Sequence, residues 1–250
     1  MNSPLHLHPL SAEQLLRLWE IGQGQHPLDR ALTLLAFACP DQSPVDLASL
    51  PIGQRDRYLL SLRELTFGTQ MDSYAECPYC QERLEFSLTV ADMQVNAPES
   101  LLLTDHQFTL EDWHLRFRLP TSLDLAAVFL NRNPETATVH LLHRCLVQAT
   151  RQGEPIASEN LPPQIWSCLQ QQIAYADPQA EMVLNLTCPA CQQEWQVLFD
   201  IGEFLWAEVR VQAKRLLQDI DLLARVYGWR ESDILAMSAT RRQHYLENII

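Results

Sequence analysis

The chain has 250 residues, with 31 acidic against 18 basic side chains and a net charge of −13. Nucleic-acid binding needs clustered Lys and Arg to neutralise phosphates, yet Lys214 is the sole lysine; the same balance disfavours an anionic membrane surface. Only seven glycines are present, too few for many tight hairpins or phosphate-cradling loops, so helix is expected to dominate.

Ser11 reads as the N-cap of a first helix carrying Leu15, Leu16, Leu18 and Trp19, ended by Gly22 and Gly24. A second helix is expected from Pro27, with Leu28, Ala31, Leu32, Leu35 and Ala36 on one face, stopping before Pro40. Asp41 to Gly53 is turn-rich. Gln54 to Phe67 reads as a third helix with a stripe of Tyr58, Leu59, Leu62 and Leu65, closed by Gly68. The period then switches to two: Arg83 to Val90 alternates polar and apolar residues, as a half-buried strand does. Phe108–Leu110 and Trp113–Leu119 predict a hairpin around Glu111-Asp112. Helices are expected at Ser122–Leu130, Glu135–Ala149 and Pro162–Tyr175, then strands at Met182–Leu186 and Glu194–Phe199. Asp200 is placed to cap a long helix reaching Tyr227, with Gly228 at its end. Its apolar stripe is Phe204, Leu205, Val209, Leu216, Leu217, Ile220, Leu223 and Tyr227, and Trp206 and Val211 fall off it. Short helices near Ser232–Ala236 and Ala239–Ile249 complete the chain.

The expected class is α+β, mostly α: a flexible tail over 1–10, then one mainly helical domain over 11–250. A small antiparallel sheet is embedded in it, with strands near 83–119 and 182–199. Strands and helices do not alternate singly, which disfavours a doubly wound parallel sheet. The N-terminal residues carry neither a basic segment nor an apolar one of the secretory kind. No apolar run reaches transmembrane length. The expectation is a cytoplasmic protein without direct membrane insertion, in a compartment where structural disulfides are rare.

Seven cysteines therefore need another explanation. Cys77-Pro78-Tyr79-Cys80 and Cys188-Pro189-Ala190-Cys191 are two copies of one motif, each followed by an alternating strand. Strand, Cys-x-x-Cys turn, strand is a zinc knuckle, and two knuckles supply the four thiolates that tetrahedral Zn²⁺ requires. With four protein ligands the ion keeps no open position, so it is expected to be structural. Gln81 and Gln192 stand where the turn favours glycine, at about 1 kcal/mol each if a positive φ is kept. Two other readings stand beside this one. Cys77 and Cys80 could form a redox pair, since Cys-Pro-Tyr-Cys is also the glutaredoxin active-site tetrapeptide; that chemistry asks for a helix N-terminus. The four cysteines could also be unrelated. Cys39, Cys145 and Cys168 sit in apolar helical contexts and read as small core residues.

Other chemistry is sparse. His140 and His143 lie three apart on an expected helix without a third ligand at matching spacing. Gly22-Gln23-Gly24 lacks the strand and third glycine of a dinucleotide fingerprint. There is no phosphate loop, nucleophile elbow or His-Glu-x-x-His helix. Asp219 and Asp221 point apart in helical phase.

With the knuckles placed, the chain resembles the small baseplate proteins of contractile phage tails and of the phage-tail-like contractile injection systems of bacteria. The resembling segments include His26–Ala31, Leu62–Gly68, Cys77–Phe86, Phe117–Ser122, Cys188–Trp195, Phe199–Ile201, Phe204–Trp206, Leu223–Trp229 and Arg241–Leu246. The resemblance implies a non-enzymatic structural or assembly role in a baseplate, with other baseplate, tube or spike proteins as partners; the charge balance argues for no nucleic acid. Phage members do not all carry the cysteines, so the metal site rests on the residues here. A zinc-ribbon adaptor of another assembly is the alternative, and a thiol-disulfide oxidoreductase using Cys77 and Cys80 the third.

Overall fold

Ser11 and Gln14 cap each other reciprocally at the start of helix α1 (Ala12–Gly22), and Pro27 occupies the first turn of α2 (Pro27–Ala38). The computed structural model describes residues 5–95, 105–131 and 133–249. The turn-rich stretch holds a short helix, α3 (Pro44–Ala48), capped by Ser43. Helix α4 (Ile52–Phe67) leads into a hairpin of β1 (Gln70–Glu76) and β2 (Arg83–Thr89), followed by the single turn α5 (Val90–Met93). Strands β3 (His106–Leu110) and β4 (Trp113–Phe117) come next, then α6 (Ser122–Val128), α7 (Pro134–Cys145), β5 (Leu146–Arg151), β6 (Glu154–Pro155) and α8 (Pro163–Ala176). A second hairpin, β7 (Met182–Thr187) with β8 (Glu194–Phe199), precedes the 27-residue α9 (Ile201–Tyr227), and α10 (Glu231–Leu235) and α11 (Ala239–Glu247) close the chain.

The mostly helical α+β class holds, with all sheets antiparallel. Among the described residues the strands divide among three sheets: β1–β2, β7–β8 and a four-stranded β3–β4–β5–β6. The helix expected over Glu135–Ala149 ends at Cys145, because Leu146–Arg151 pairs with β4 instead. Gln152 and Gly153, at φ 52° and 89°, turn that strand back into β6, the positive-φ pair that a tight hairpin selects.

The main core packs α1, α2 and α4 against α9, with Leu18, Leu34, Leu35, Leu59, Leu205 and Leu216 fully or almost fully buried. The buried face of α2 is Ala31, Leu34, Leu35 and Ala38: Ala31 and Leu35 of the expected face are buried, whereas Leu34 and Ala38 take the place of Leu28, Leu32 and Ala36. Helix α4 is enclosed on two sides, so Leu60 and Arg63 are buried as well as Leu59 and Leu62, whereas Leu65 is exposed. The Arg63 guanidinium donates two hydrogen bonds to the Glu208 carboxylate (3.0 and 2.7 Å) and one to the Gly68 carbonyl (2.6 Å), tying α4 to α9. Trp206, off the expected stripe, is buried: its ring lies against Gly22, where a Cβ would come within 2.4 Å, and under the Arg30 guanidinium. Residues 5–10, expected as a flexible tail, lie on this body: Leu5, His8 and Leu10 donate backbone hydrogen bonds to Tyr58 Oη, the Ala38 carbonyl and Thr66 Oγ1.

Two smaller apolar clusters hold α7 and α8 on the four-stranded sheet through Trp113, Leu115, Phe117, Leu142, Ile165 and Leu169. This unit meets the helical body at the start of α4. Ile52 N–H donates to the Pro120 carbonyl (3.0 Å) and Gly53 N–H to Asp177 Oδ2 (2.9 Å). Asp124, 1% exposed, accepts from Arg118, Arg144 and the Thr121 backbone and hydroxyl, which locks the sheet, α6 and α7 together. No helix of the described residues is long and apolar enough to cross a membrane.

Candidate metal centre

Each Cys-Pro-x-Cys forms the tip of one two-stranded hairpin. The local geometry repeats between them. In the first, Cys77 N–H donates to the Glu82 carbonyl and Gln81 N–H to the Cys77 carbonyl, both at 2.9 Å. In the second, Cys188 N–H donates to Gln193 and Gln192 N–H to Cys188, again at 2.9 Å. Gln81 and Gln192 take φ of 64° and 61°, so the left-handed turn is kept despite the missing glycine. This sharp turn folds both thiols of a pair toward one point.

The two tips meet. The sulfurs of Cys77 and Cys191 are 3.7 Å apart, those of Cys80 and Cys188 3.5 Å, and all four lie within 4.8 Å of one another. A tetrahedral ion with bonds of about 2.3 Å to sulfur separates its ligands by about 3.8 Å. The donor set therefore fits a soft divalent cation in both chemistry and spacing. Cys77 and Cys188 are buried, Cys191 is half-buried and Cys80 is exposed, so the cage has a solvent side through which an ion can enter. Among the described residues, this is the one group of three or more metal-ligating side chains that converges.

Crowding splits the thiols of Cys80, Cys188 and Cys191 electrostatically. Backbone N–H groups of Cys191 and Ala190 help lower the Cys188 thiol to about 7. At Cys80 the Glu82 N–H pulls downward, but desolvation and the thiols of Cys188, Cys191 and Cys77 outweigh it and push the group up to about 12. Cys191 also rises: the Gln193 N–H opposes it, and desolvation together with the Cys188 and Cys77 thiols prevails. Packed sulfurs share protons when no cation is near, and a bound divalent cation inverts that preference by favouring the thiolates. Each pair sits at a hairpin turn between two strands, not at the helix N-terminus that lowers the pKa of a redox thiol.

The remaining candidates do not converge. His140 Nδ1 is hydrogen-bonded with Asn131 (3.0 Å), and the His143 ring packs on Trp166. Asp219 pairs with Arg242 (3.4 Å) and Asp221 with Arg225 (2.9 Å). Cys39 and Cys145 are buried and Cys168 half-buried; burial pushes the Cys145 thiol up to about 12.

Sequence reasoning did not find the groove beside this centre. The inner faces of the two hairpins, including Phe86, Leu184, Val197 and Phe199, face a cleft of about 500 Å³ floored by Phe204 and Val211 of α9. The alternation of β2 and β8 signalled the apolar faces, but their juxtaposition is tertiary.

A family model described as T4 bacteriophage base plate protein matches residues 13–206. No curated protein and no solved structure matches the chain.

Proposed function

The chain belongs to the T4 bacteriophage base plate protein family, and on that premise we propose that it is a non-enzymatic structural or assembly component of the baseplate of a phage-tail-like contractile injection system, stabilised by a structural zinc ion. The ligands are Cys77, Cys80, Cys188 and Cys191. The observation that carries the zinc reading is the meeting of four sulfurs from hairpins 108 positions apart in sequence. Four thiolates leave zinc no open position for substrate or water, which supports a structural role. The ion fastens the tips of two hairpins whose bases are rooted in the main core by Met71, Val90 and Met182.

Its partners in this reading are other baseplate, tube or spike proteins, met during assembly in the cytoplasm. A tagged chain expressed from its native locus tests this. Tube, sheath or spike proteins are expected to co-purify, and deletion of the gene is expected to remove assembled particles from electron micrographs of the lysate. Recovery of none of those proteins, with particles intact in the deletion strain, overturns it.

A further inference from the structure

We infer that the four-cysteine site is also an oxidation site, at which a peroxide converts the thiols to two disulfides, Cys80–Cys188 and Cys77–Cys191, each joining one hairpin tip to the other. This deepens the metal reading and rests on its premise, that the two tips meet. It differs from a Cys77–Cys80 redox pair, which would close within one motif.

The distances select the pairing. The sulfurs of Cys80 and Cys188 are 3.5 Å apart and those of Cys77 and Cys191 3.7 Å, and both contacts run between hairpins. A disulfide bond of about 2.05 Å asks each pair to close by about 1.5 Å. That is a small part of the arc a sulfur sweeps when its χ1 angle changes.

Exposure orders the steps. Each pair joins a reachable sulfur to a buried one: Cys80 is exposed and Cys191 half-buried, whereas Cys188 and Cys77 are buried. In such an arrangement the reachable thiolate meets the oxidant and the neighbouring cysteine resolves it. Cys39, Cys145 and Cys168 stand outside the converging group.

A divalent cation, when bound, supplies the charge that keeps the four sulfurs as thiolates. The Cys80 thiolate attacks one oxygen of hydrogen peroxide; the S–O bond forms, the O–O bond breaks and hydroxide leaves. The Cys188 thiolate then attacks the Cys80 sulfur; the S–S bond forms, the S–O bond breaks and the sulfenic hydroxyl leaves as a second hydroxide. Two thiolates have given up two electrons, and the peroxide has taken them. Cys191 and Cys77 repeat the sequence with a second peroxide. The four negative charges are then gone, and with them the affinity for a cation, but two covalent ties keep the tips together. A dithiol reductant reverses both bonds by exchange.

The test uses the full chain with its zinc content measured beforehand. Hydrogen peroxide is added, remaining thiols are alkylated and the disulfides are mapped by peptide mass spectrometry. Peptides joining Cys80 to Cys188 and Cys77 to Cys191 are expected, with loss of bound metal to a colorimetric chelator and recovery of all four thiols in dithiothreitol. The oxidised chain is expected to melt without regard to chelator, and above the reduced chain in chelator, because its tips remain tied. Cys80→Ser is expected to leave Cys188 a free thiol while Cys77–Cys191 still forms, and Cys168→Ala to change neither bond. Disulfides Cys77–Cys80 or Cys188–Cys191, sulfinic or sulfonic acid at Cys80 in place of a disulfide, or four thiols that survive peroxide overturn the inference. Any of those results in a chain that carries zinc leaves the metal reading standing. The expected cross-links in a chain purified without metal uphold the inference and overturn the metal reading.

Discussion

Replacing Cys188 by Ser removes one of the four converging sulfurs, leaving Cys80 without its neighbour at 3.5 Å. The tie it breaks spans 108 positions. For a cross-link closing a loop of that length, the chain-entropy relation gives about 4.7 kcal/mol at 25 °C. A metal tie is bounded by a similar figure when it persists in the unfolded chain, and gains further from the ligand's affinity for the folded state. In a chain of this size each kcal/mol shifts Tm by about 2–4 °C, so Cys188→Ser is expected to melt about 10–20 °C below wild type. The assay is thermal denaturation by circular dichroism, with and without a strong chelator. Wild type with chelator is expected to fall to the melting temperature of the variant, and the variant itself to be indifferent to chelator. Cys168→Ala, outside the cluster, serves as the control. A variant melting like wild type, or a wild type that ignores the chelator, refutes the tie.

Other perturbations read other parts of the fold. Gln81→Gly relieves a left-handed residue whose side chain is exposed and is expected to raise stability by about 0.5–1 kcal/mol in chemical denaturation, net of the added freedom of the unfolded chain; a loss would show the turn unstrained. Asp124→Asn is expected to destabilise by about 3 kcal/mol at neutral pH, because it leaves Arg118 and Arg144 without their shared carboxylate. Burial opposes the charge on Asp124, but Arg118 and Thr121 hold its carboxyl well below the usual range. Its contribution is therefore full above the ordinary carboxylate pKa and lost as pH falls through the lowered one, so the gap to wild type should close in acid. A gap that widens in acid contradicts the assignment. Asp56 has the opposite sign: burial raises its carboxyl to about 6, against the pull of Arg55 and with support from Asp200 and Asp177. The folded state then binds the extra proton, so wild type should lose about 2–3 kcal/mol relative to Asp56→Asn as pH rises from about 4 to 7; a parallel pair of pH profiles would falsify this.

The convergence of the four cysteines was legible because its signals are local. Cys-Pro-x-Cys sets the turn, the alternation of Leu84, Phe86 and Leu88 sets the strand, and the expectation that two such motifs share one tetrahedral ion pointed to their meeting across the chain. The caps were legible for the same reason: Ser11, Pro27, Asp200 and Gly228 act within a turn of their own helices. Position against the rest of the body was not legible. Leu146–Arg151 continues an apolar pattern that suits a helix, and only pairing with β4 makes it a strand. Leu65 fits the stripe of α4 yet is exposed, while Arg63 is buried because Glu208 on a helix 145 positions away neutralises it. Trp206 falls off the stripe of α9 and is buried because Gly22 leaves room for its ring. The helix missed at Pro44–Ala48 did carry a local signal, Ser43 followed by Pro44 and Asp46.

The most direct measurement is native mass spectrometry with elemental analysis of wild type and Cys188→Ser, each purified without added zinc. About one zinc per wild-type chain, absent from the variant, is the expected result; a wild-type protein that is folded and carries no metal contradicts it.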